Sequence, residues 1–258
     1  MARFCPLFSG SSGNCLYIGT GNGGILVDAG VSARRIEKAL VDREIDPRTI
    51  RGIFVTHEHA DHTAGLRVFC KRYGTAVYAS AGTRQALLED GTVADCRLWN
   101  EADLGDMTIA AFHTAHDSRE STGFCVQLSD DRRVGVATDL GVMTDEVRQA
   151  LRGCDLIHIE SNHDVRMLEN GPYPYPLKRR ILSDRGHLSN EACAAELPAL
   201  ISAGTTRVSL GHLSRENNLP MLAHATAIAG LTAAGARESA DYLLWVAPPE
   251  NNGAVCIF

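Results

Sequence analysis

Three histidines and an aspartate crowd the run Thr56-His57-Glu58-His59-Ala60-Asp61-His62. Imidazole and carboxylate donors at this density suit a borderline divalent metal such as zinc. In an extended segment alternate residues share a side, so His57 and His59 point together, while Asp61 and His62, past a turn, can face a second ion. A polar surface loop also tolerates histidines, but it gives no reason for so many directly behind an apolar strand. Two ions need more donors than this loop holds, because each takes about four to six. His116, Asp139 and His212 each follow a predicted strand. Alone, each reads as a cap or a surface group. Together they describe one rim, and the two oxygens of Asp139 can bridge both ions. His113 competes with His116 for the same position.

Apolar runs and turn residues locate the elements that must hold this rim. Strands are expected over residues 16–18, 25–28, 52–56, 76–78, 107–112, 124–128, 134–137, 156–159 and 207–210, and helices over 32–41, 64–71, 146–151, 191–200 and 221–229. The mixture predicts a layered α/β fold. With 258 residues and no linker-like stretch, a single domain spanning 1–258 is expected. The prolines of Gly171-Pro172-Tyr173-Pro174-Tyr175-Pro176 predict an extended, irregular segment rather than a helix.

Composition narrows the functions. Lys+Arg 25 against Asp+Glu 31 gives a net charge of -6, so contact with a polyanion requires a local basic patch that opposes the average field. The 45% hydrophobic and 22% charged shares are those of an ordinary globular protein. The cysteines lie scattered without a C-x-x-C pair, so each reads as a small buried hydrophobe. No membrane-spanning run and no secretory signal are visible, which leads us to expect a cytoplasmic protein without a membrane partner.

The pattern His57-x-His59-x-Asp61-His62, followed by His116, Asp139 and His212, resembles the metallo-β-lactamase superfamily, whose α/β fold is a four-layered αβ/βα sandwich with metals at the sheet edges. Further blocks are similar to its YycJ/WalJ-like exonuclease group: Leu7-Phe8-Ser9-Gly10-Ser11-Ser12-Gly13-Asn14-Cys15, His116-Asp117, Ala137-Thr138-Asp139-Leu140-Gly141, Glu160-Ser161-Asn162-His163-Asp164, Gly186-His187-Leu188-Ser189-Asn190 and Gly211-His212-Leu213-Ser214. The resemblance implies one metal on His57, His59 and His116, and another on Asp61, His62 and His212, with Asp139 between them. Its His-Asp pair favours His116 over His113, and Asp28 matches a supporting position. It further implies two divalent ions as cofactors (zinc or manganese, with iron an option) and a 5′-to-3′ exonuclease whose nucleic acid partner is DNA. The segment between Asp139 and His212 is too short for the clamp domain that some nuclease relatives insert there.

Phosphodiester cleavage needs an attacking hydroxide, neutralisation of the phosphorane charge and a proton for the leaving 3′-oxygen. Two metals supply the first two, and a histidine oriented by a carboxylate supplies the third. Glu160 and His187 look like the Glu and His pair with which transfer-RNA-processing relatives protonate the leaving group; with Asp61 they form the expected catalytic set. Just before His187, Lys178, Arg179, Arg180 and Arg185 make the densest positive cluster. A solvated charge run is its commoner meaning, and contact with a phosphate backbone is its functional one. His163 and Asp164 are expected to line the pocket. His158 reads as structural and His224 as surface or core. Competing functions are a small-molecule hydrolase acting on a thioester, lactam or cyclic phosphodiester, a diiron redox protein, and a non-catalytic nucleic-acid-binding module. His59 counts against the redox option, because diiron relatives carry glutamate there. The full ligand set counts against the last.

Overall fold

The computed structural model describes residues 1–98, 101–253 and 255–258. Numbered in chain order, its first sheet holds β1 (Arg3–Phe8), β2 (Cys15–Thr20), β3 (Gly23–Val27), β4 (Ile50–Phe54), β5 (Ala76–Ala79) and β6 (Arg97–Leu98) as sequential neighbours. The second sheet holds β7 (Glu101–Asp103), β8 (Met107–His113), β9 (Thr122–Leu128), β10 (Arg133–Ala137), β11 (Leu156–Glu160), β12 (Arg207–Gly211) and β13 (Leu243–Val246), again in sequence order. β14 (Cys256–Ile257) returns to pair with β1. The helices are α1 (Ala33–Val41), α2 (Ala60–Thr63), α3 (Leu66–Tyr73), α4 (Ala81–Glu89), α5 (Asp145–Leu151), α6 (Val165–Asn170), α7 (Tyr175–Ile181), α8 (Asn190–Ser202) and α9 (Pro220–Ala233). Among the described residues no helix is long and apolar enough to cross a membrane.

Period-two alternation sorts the strand side chains into layers. On β3, Ile25 and Val27 join Phe54, Phe124, Val134 and Val136 in a core between the sheets, whereas Leu26 turns outward to Ile36, Leu40 and Phe69 of α1 and α3. On the other sheet, Leu156 faces inward, while Ile157 and Ile159 meet Val147, Leu197 and Leu231 of α5, α8 and α9. Two sheets back to back, each covered outside by helices, form the four-layered αβ/βα sandwich. Each fully buried Leu, Ile, Val or Phe contributes roughly 1.5–3 kcal/mol to it.

The β3–β4–β5 and β10–β11–β12–β13 ladders are parallel, so their carboxyl ends emerge together. Open parallel sheets bind ligands at that edge. The expected elements sit close to their predicted positions, with one correction. Residues 171–176 are not irregular throughout, because Tyr175 and Pro176 open α7 behind Pro174 at its N-cap. Proline is well suited to a first helical turn, where its missing N–H has no intrahelical partner to lose.

Backbone hydrogen bonds lace three loops at this edge: Asn14 N to Asp61 O (2.8 Å), Gly30 N to Asn14 O (2.7 Å) and Ala29 N to His62 O (2.8 Å). Gly30 permits the closeness, since a Cβ there would lie 1.6 Å from the Asp61 carbonyl oxygen. We therefore predict that Gly30→Ala costs at least about 3 kcal/mol of stability through forced backbone displacement. Urea denaturation of the variant checks this, and an unchanged midpoint would contradict the packing described.

Candidate metal centre

Three of the site's acidic and imidazole side chains are set by backbone conformation. Asp28 (φ 61), Asp139 (φ 56) and His212 (φ 54) are all left-handed, and each lies within two residues of the end of β3, β10 or β12. Non-glycine residues seldom adopt this region and pay for it in strain, so the surrounding loops must hold them there. The turn aims each side chain across the rim. From β4 the chain continues through Val55 and Thr56 to His57, then His59 caps α2, whose single turn carries Asp61 and His62.

Most of the histidines spend one ring nitrogen on the protein and leave the other facing the cluster. His62 Nδ1 meets Asp28 Oδ2 at 2.7 Å, His116 Nδ1 donates to the Gly186 carbonyl at 3.0 Å, and His212 Nδ1 meets Glu160 Oε1 at 2.7 Å. His57 Nδ1 lies 3.0 Å from the Thr56 hydroxyl, which itself donates to Asp28. Such outer contacts fix ring orientation and tautomer for metal binding. The remaining nitrogens converge: His57 Nε2 is 2.9 Å from His59 Nδ1, His62 Nε2 is 3.3 Å from Asp139 Oδ2, and His116 Nε2 is 3.8 Å from Asp139 Oδ1. His212 Nε2 faces Asp61 at 3.9 Å.

These donors fall into overlapping groups: His57, His59 and His116; Asp61, His62 and His212; and His57, His62 and Asp139, each with donor atoms within 4.8 Å of one another. Asp139 stands between the first two. Its Oδ2 and His212 Nε2 are buried without a hydrogen-bond partner among the described residues. Orphaned polar atoms are costly in a protein interior. Atoms of these types, aimed into a nest of nitrogen and oxygen donors, fit a divalent metal.

The electrostatics agree. Burial would lower His62, but Asp139 and Asp28 outweigh it and raise its pKa well above the ordinary histidine range. His212 behaves alike: burial is overcome by Asp139, Asp61 and Glu160, and its pKa is pushed up to about 10. Burial tends to raise Asp61, yet the facing imidazoles of His212 and His62 hold its carboxyl far below the usual range. His57 shifts the other way, lowered well below normal by burial and then by the charge of His62, and burial lowers His116 too. The nest calls for positive charge, which protons or metal can supply.

Beside it stands the Glu160 and His187 pair, with His187 Nδ1 2.9 Å from Glu160 Oε1. Glu160 is fully buried, whereas the His187 side chain is 18% exposed at the cavity wall. Burial would raise Glu160, but His187 and His212 outweigh it and keep the carboxylate ionised. The cavity measures ≈ 330 Å³ and includes His59, Asp61, His116, Asp139, His187 and His212 in its lining. Larger hollows of ≈ 630 Å³ beside Arg67 and ≈ 650 Å³ beside Arg148 lie away from these donors, so size alone would misplace the site.

The remaining sequence-predicted residues divide. His113 is 65% exposed between Glu120 and Glu146, while His116 is the one that reaches the cluster. Arg180 enters the cavity lining and is paired with Asp117, whose Oδ1 lies 3.3 Å from His116 Nε2. Arg185 instead donates to the His116 carbonyl at 3.0 Å, and Lys178 to the Glu169 carbonyl at 2.8 Å. Arg179 is exposed on α7. Asp164 caps α6 by accepting from Met167 N at 2.8 Å. His163 is buried outside the cavity lining, its pKa lowered to about 4 by burial. His158 packs between Ser209 and Phe4, and His224 lies at the surface. Sequence reasoning missed that Asn14 reaches His62 Nε2 at 3.1 Å and that Glu160 also holds His212.

The family model described as a beta-lactamase superfamily domain matches residues 24–213. Exodeoxyribonuclease YycJ of Bacillus anthracis is 37% identical over 227 residues, covering 86% of either chain. Exodeoxyribonuclease WalJ of Streptococcus pneumoniae is 35% identical over 256 residues, covering 96% of this chain and 95% of that one. The solved metallo-β-lactamase-fold protein YhfI from Bacillus subtilis superposes with a TM-score of 0.72 over 97% of each chain; at 14% identity it speaks for the fold alone. The chain belongs to the metallo-β-lactamase superfamily. Within it, the chain is a member of the group that contains YycJ and WalJ.

The raised histidines give a measurable consequence. In metal-free protein the stabilising contribution of His212 is complete below the unfolded value of 6.5 and is lost as pH rises through about 10, and that of His62 falls in the same direction. A metal ion must displace the protons they hold in that window. Zinc binding to chelator-treated protein at pH 8 should therefore release protons, read from the dependence of binding enthalpy on buffer ionisation enthalpy. Binding without proton release at that pH would contradict the assignment.

Proposed function

We propose that residues 1–258 form one hydrolase domain, a dinuclear metal-dependent phosphodiesterase acting on nucleic acid as a cytoplasmic 5′-to-3′ DNA exonuclease. The observation that carries this reading is the Glu160 and His187 pair beside the donor nest, because the basic 3′-alkoxide of a nucleotide needs a proton to leave whereas the thiolate of a thioester does not. That its relatives YycJ and WalJ are exodeoxyribonucleases supports it. His57, His59 and His116 hold one ion, Asp61, His62 and His212 the other, and Asp139 serves both. Bound there, divalent ions would supply Lewis acidity for the attacking water and positive charge beside the phosphoryl group.

The chain's own groups do the rest. Arg180, with Asp117 beside it, faces the cavity and takes a non-bridging phosphate oxygen. Lys178 and Arg179 on the same helix draw the strand toward an otherwise acidic protein, and the exposed Tyr175 gives a base a stacking face. His187 carries a proton on Nε2 to the leaving 3′-oxygen while Glu160 stabilises the imidazolium.

A nucleotide 3′-oxygen leaves as a strongly basic alkoxide, whereas p-nitrophenolate departs unaided. His187→Ala should therefore lose on the order of 10²- to 10⁴-fold in rate on end-labelled DNA. On bis(p-nitrophenyl) phosphate the loss should be far smaller, with metal content unchanged. Equal losses on both substrates, or a lost metal, would show that His187 is a ligand or a structural group.

A further inference from the structure

Away from the metal centre, two cysteines separated by 29 residues in sequence meet: Cys125 Sγ lies 3.5 Å from Cys154 Sγ. Cys125 sits on β9 and Cys154 in the turn before β11, with β10 between them. The sulfurs can approach across that strand because the residue opposite Cys125 is Gly135, where a Cβ would come within 3.2 Å of Cys154 Sγ. The Arg133 guanidinium stands 3.4 Å from Cys125 Sγ, and the Ala150 carbonyl, 3.0 Å from that sulfur, accepts from it only in the thiol form. Cys125 keeps 8% exposure and Cys154 none, so Cys125 is the nearer of the two to solvent.

We propose that Cys125 and Cys154 form a redox-modification site that a hydroperoxide closes into a disulfide across β10. Arg133 favours the thiolate of Cys125, as a cation beside a thiol does generally. The hydrogen bond from Cys154, with Arg133 3.4 Å from the same sulfur, outweighs burial and lowers Cys125, while that bond and burial push Cys154 up. One sulfur is thus the nucleophile and its neighbour keeps the proton. The Cys125 thiolate attacks a peroxide oxygen, breaks the O–O bond and becomes a sulfenic acid, releasing hydroxide. Cys154 then attacks the sulfenic sulfur, its proton leaves with the hydroxyl as water, and the S–S bond forms. The hydroxide takes up the proton that Cys125 gave to solvent when it ionised, so in sum two thiols are oxidised by two electrons and hydrogen peroxide is reduced to two waters. The sulfurs must close to the ~2.05 Å of a disulfide, within reach of a small shift of the turn bearing Cys154.

The test treats the folded full-length chain with hydrogen peroxide, alkylates remaining thiols after denaturation and maps the digest by mass spectrometry. A dithiothreitol-sensitive peptide joining Cys125 to Cys154 is expected, with the other cysteines recovered alkylated. Cys154→Ser should instead leave a dimedone-reactive sulfenic acid at Cys125, and Arg133→Gln should slow linkage near pH 7 by on the order of tenfold. Recovery of both cysteines as free thiols from peroxide-treated wild type would overturn the proposal. So would linkage no faster in the folded protein than in the urea-unfolded chain.

Discussion

The Glu160 carboxylate ties the site together. Its Oε1 is shared by His187 Nδ1 at 2.9 Å and His212 Nδ1 at 2.7 Å, while Oε2 accepts from Leu140 N at 3.0 Å and Leu188 N at 3.1 Å. One buried group thereby fixes the orientation of a donor histidine and of the half-buried histidine beside it. It also pins the loop that follows Asp139 and the loop that carries His187. Breaking a hub of this kind leaves charged and polar groups unpaired in a poorly solvated place, which costs far more than the net worth of any one hydrogen bond.

Around the hub, geometry and charge have a common origin in the parallel strands. Their carboxyl ends deliver Asp28, His57, Asp139, Glu160 and His212 to one edge, and left-handed backbone at Asp28, Asp139 and His212 turns the side chains inward. The strain at those positions is sustained by a rigid setting of tightly packed β-layers and loops laced through Asn14, Gly30 and Asp61. Crowding carboxylates with imidazoles makes the nest attractive to cations, and the orphaned oxygen of Asp139 marks its centre. Pairing at the second nitrogen leaves the rings poised to bind before any ion arrives.

Much of this was legible from residue types and their place after apolar runs. The strand expected over 52–56, formed as β4 over Ile50–Phe54, and the histidines behind it specify one another, and His116, Asp139 and His212 each follow a strand as expected. Local signals failed where tertiary context decides. β1 escaped notice because Pro6 interrupts it, and the structure absorbs that proline at a register shift between Pro6 and Phe8. In α4, Gly82 and weakly patterned apolar residues hide the helix. Contacts such as Glu160 to His212 or Cys125 to Cys154 join residues far apart in the chain, and no periodicity announces them. The basic cluster was visible, but not its division of labour: Arg180 turns to the cavity while Arg185 braces the carbonyl of His116.

Every functional step proposed here depends on metal ions occupying the nest in the way its donors divide. Anomalous diffraction from crystals grown with manganese or zinc tests that most directly. Two anomalous peaks are predicted, one among His57, His59 and His116 and the other among Asp61, His62 and His212, with Asp139 in contact with both. A single peak, or peaks that leave Asp139 and His212 without a metal contact, would contradict the two-metal account.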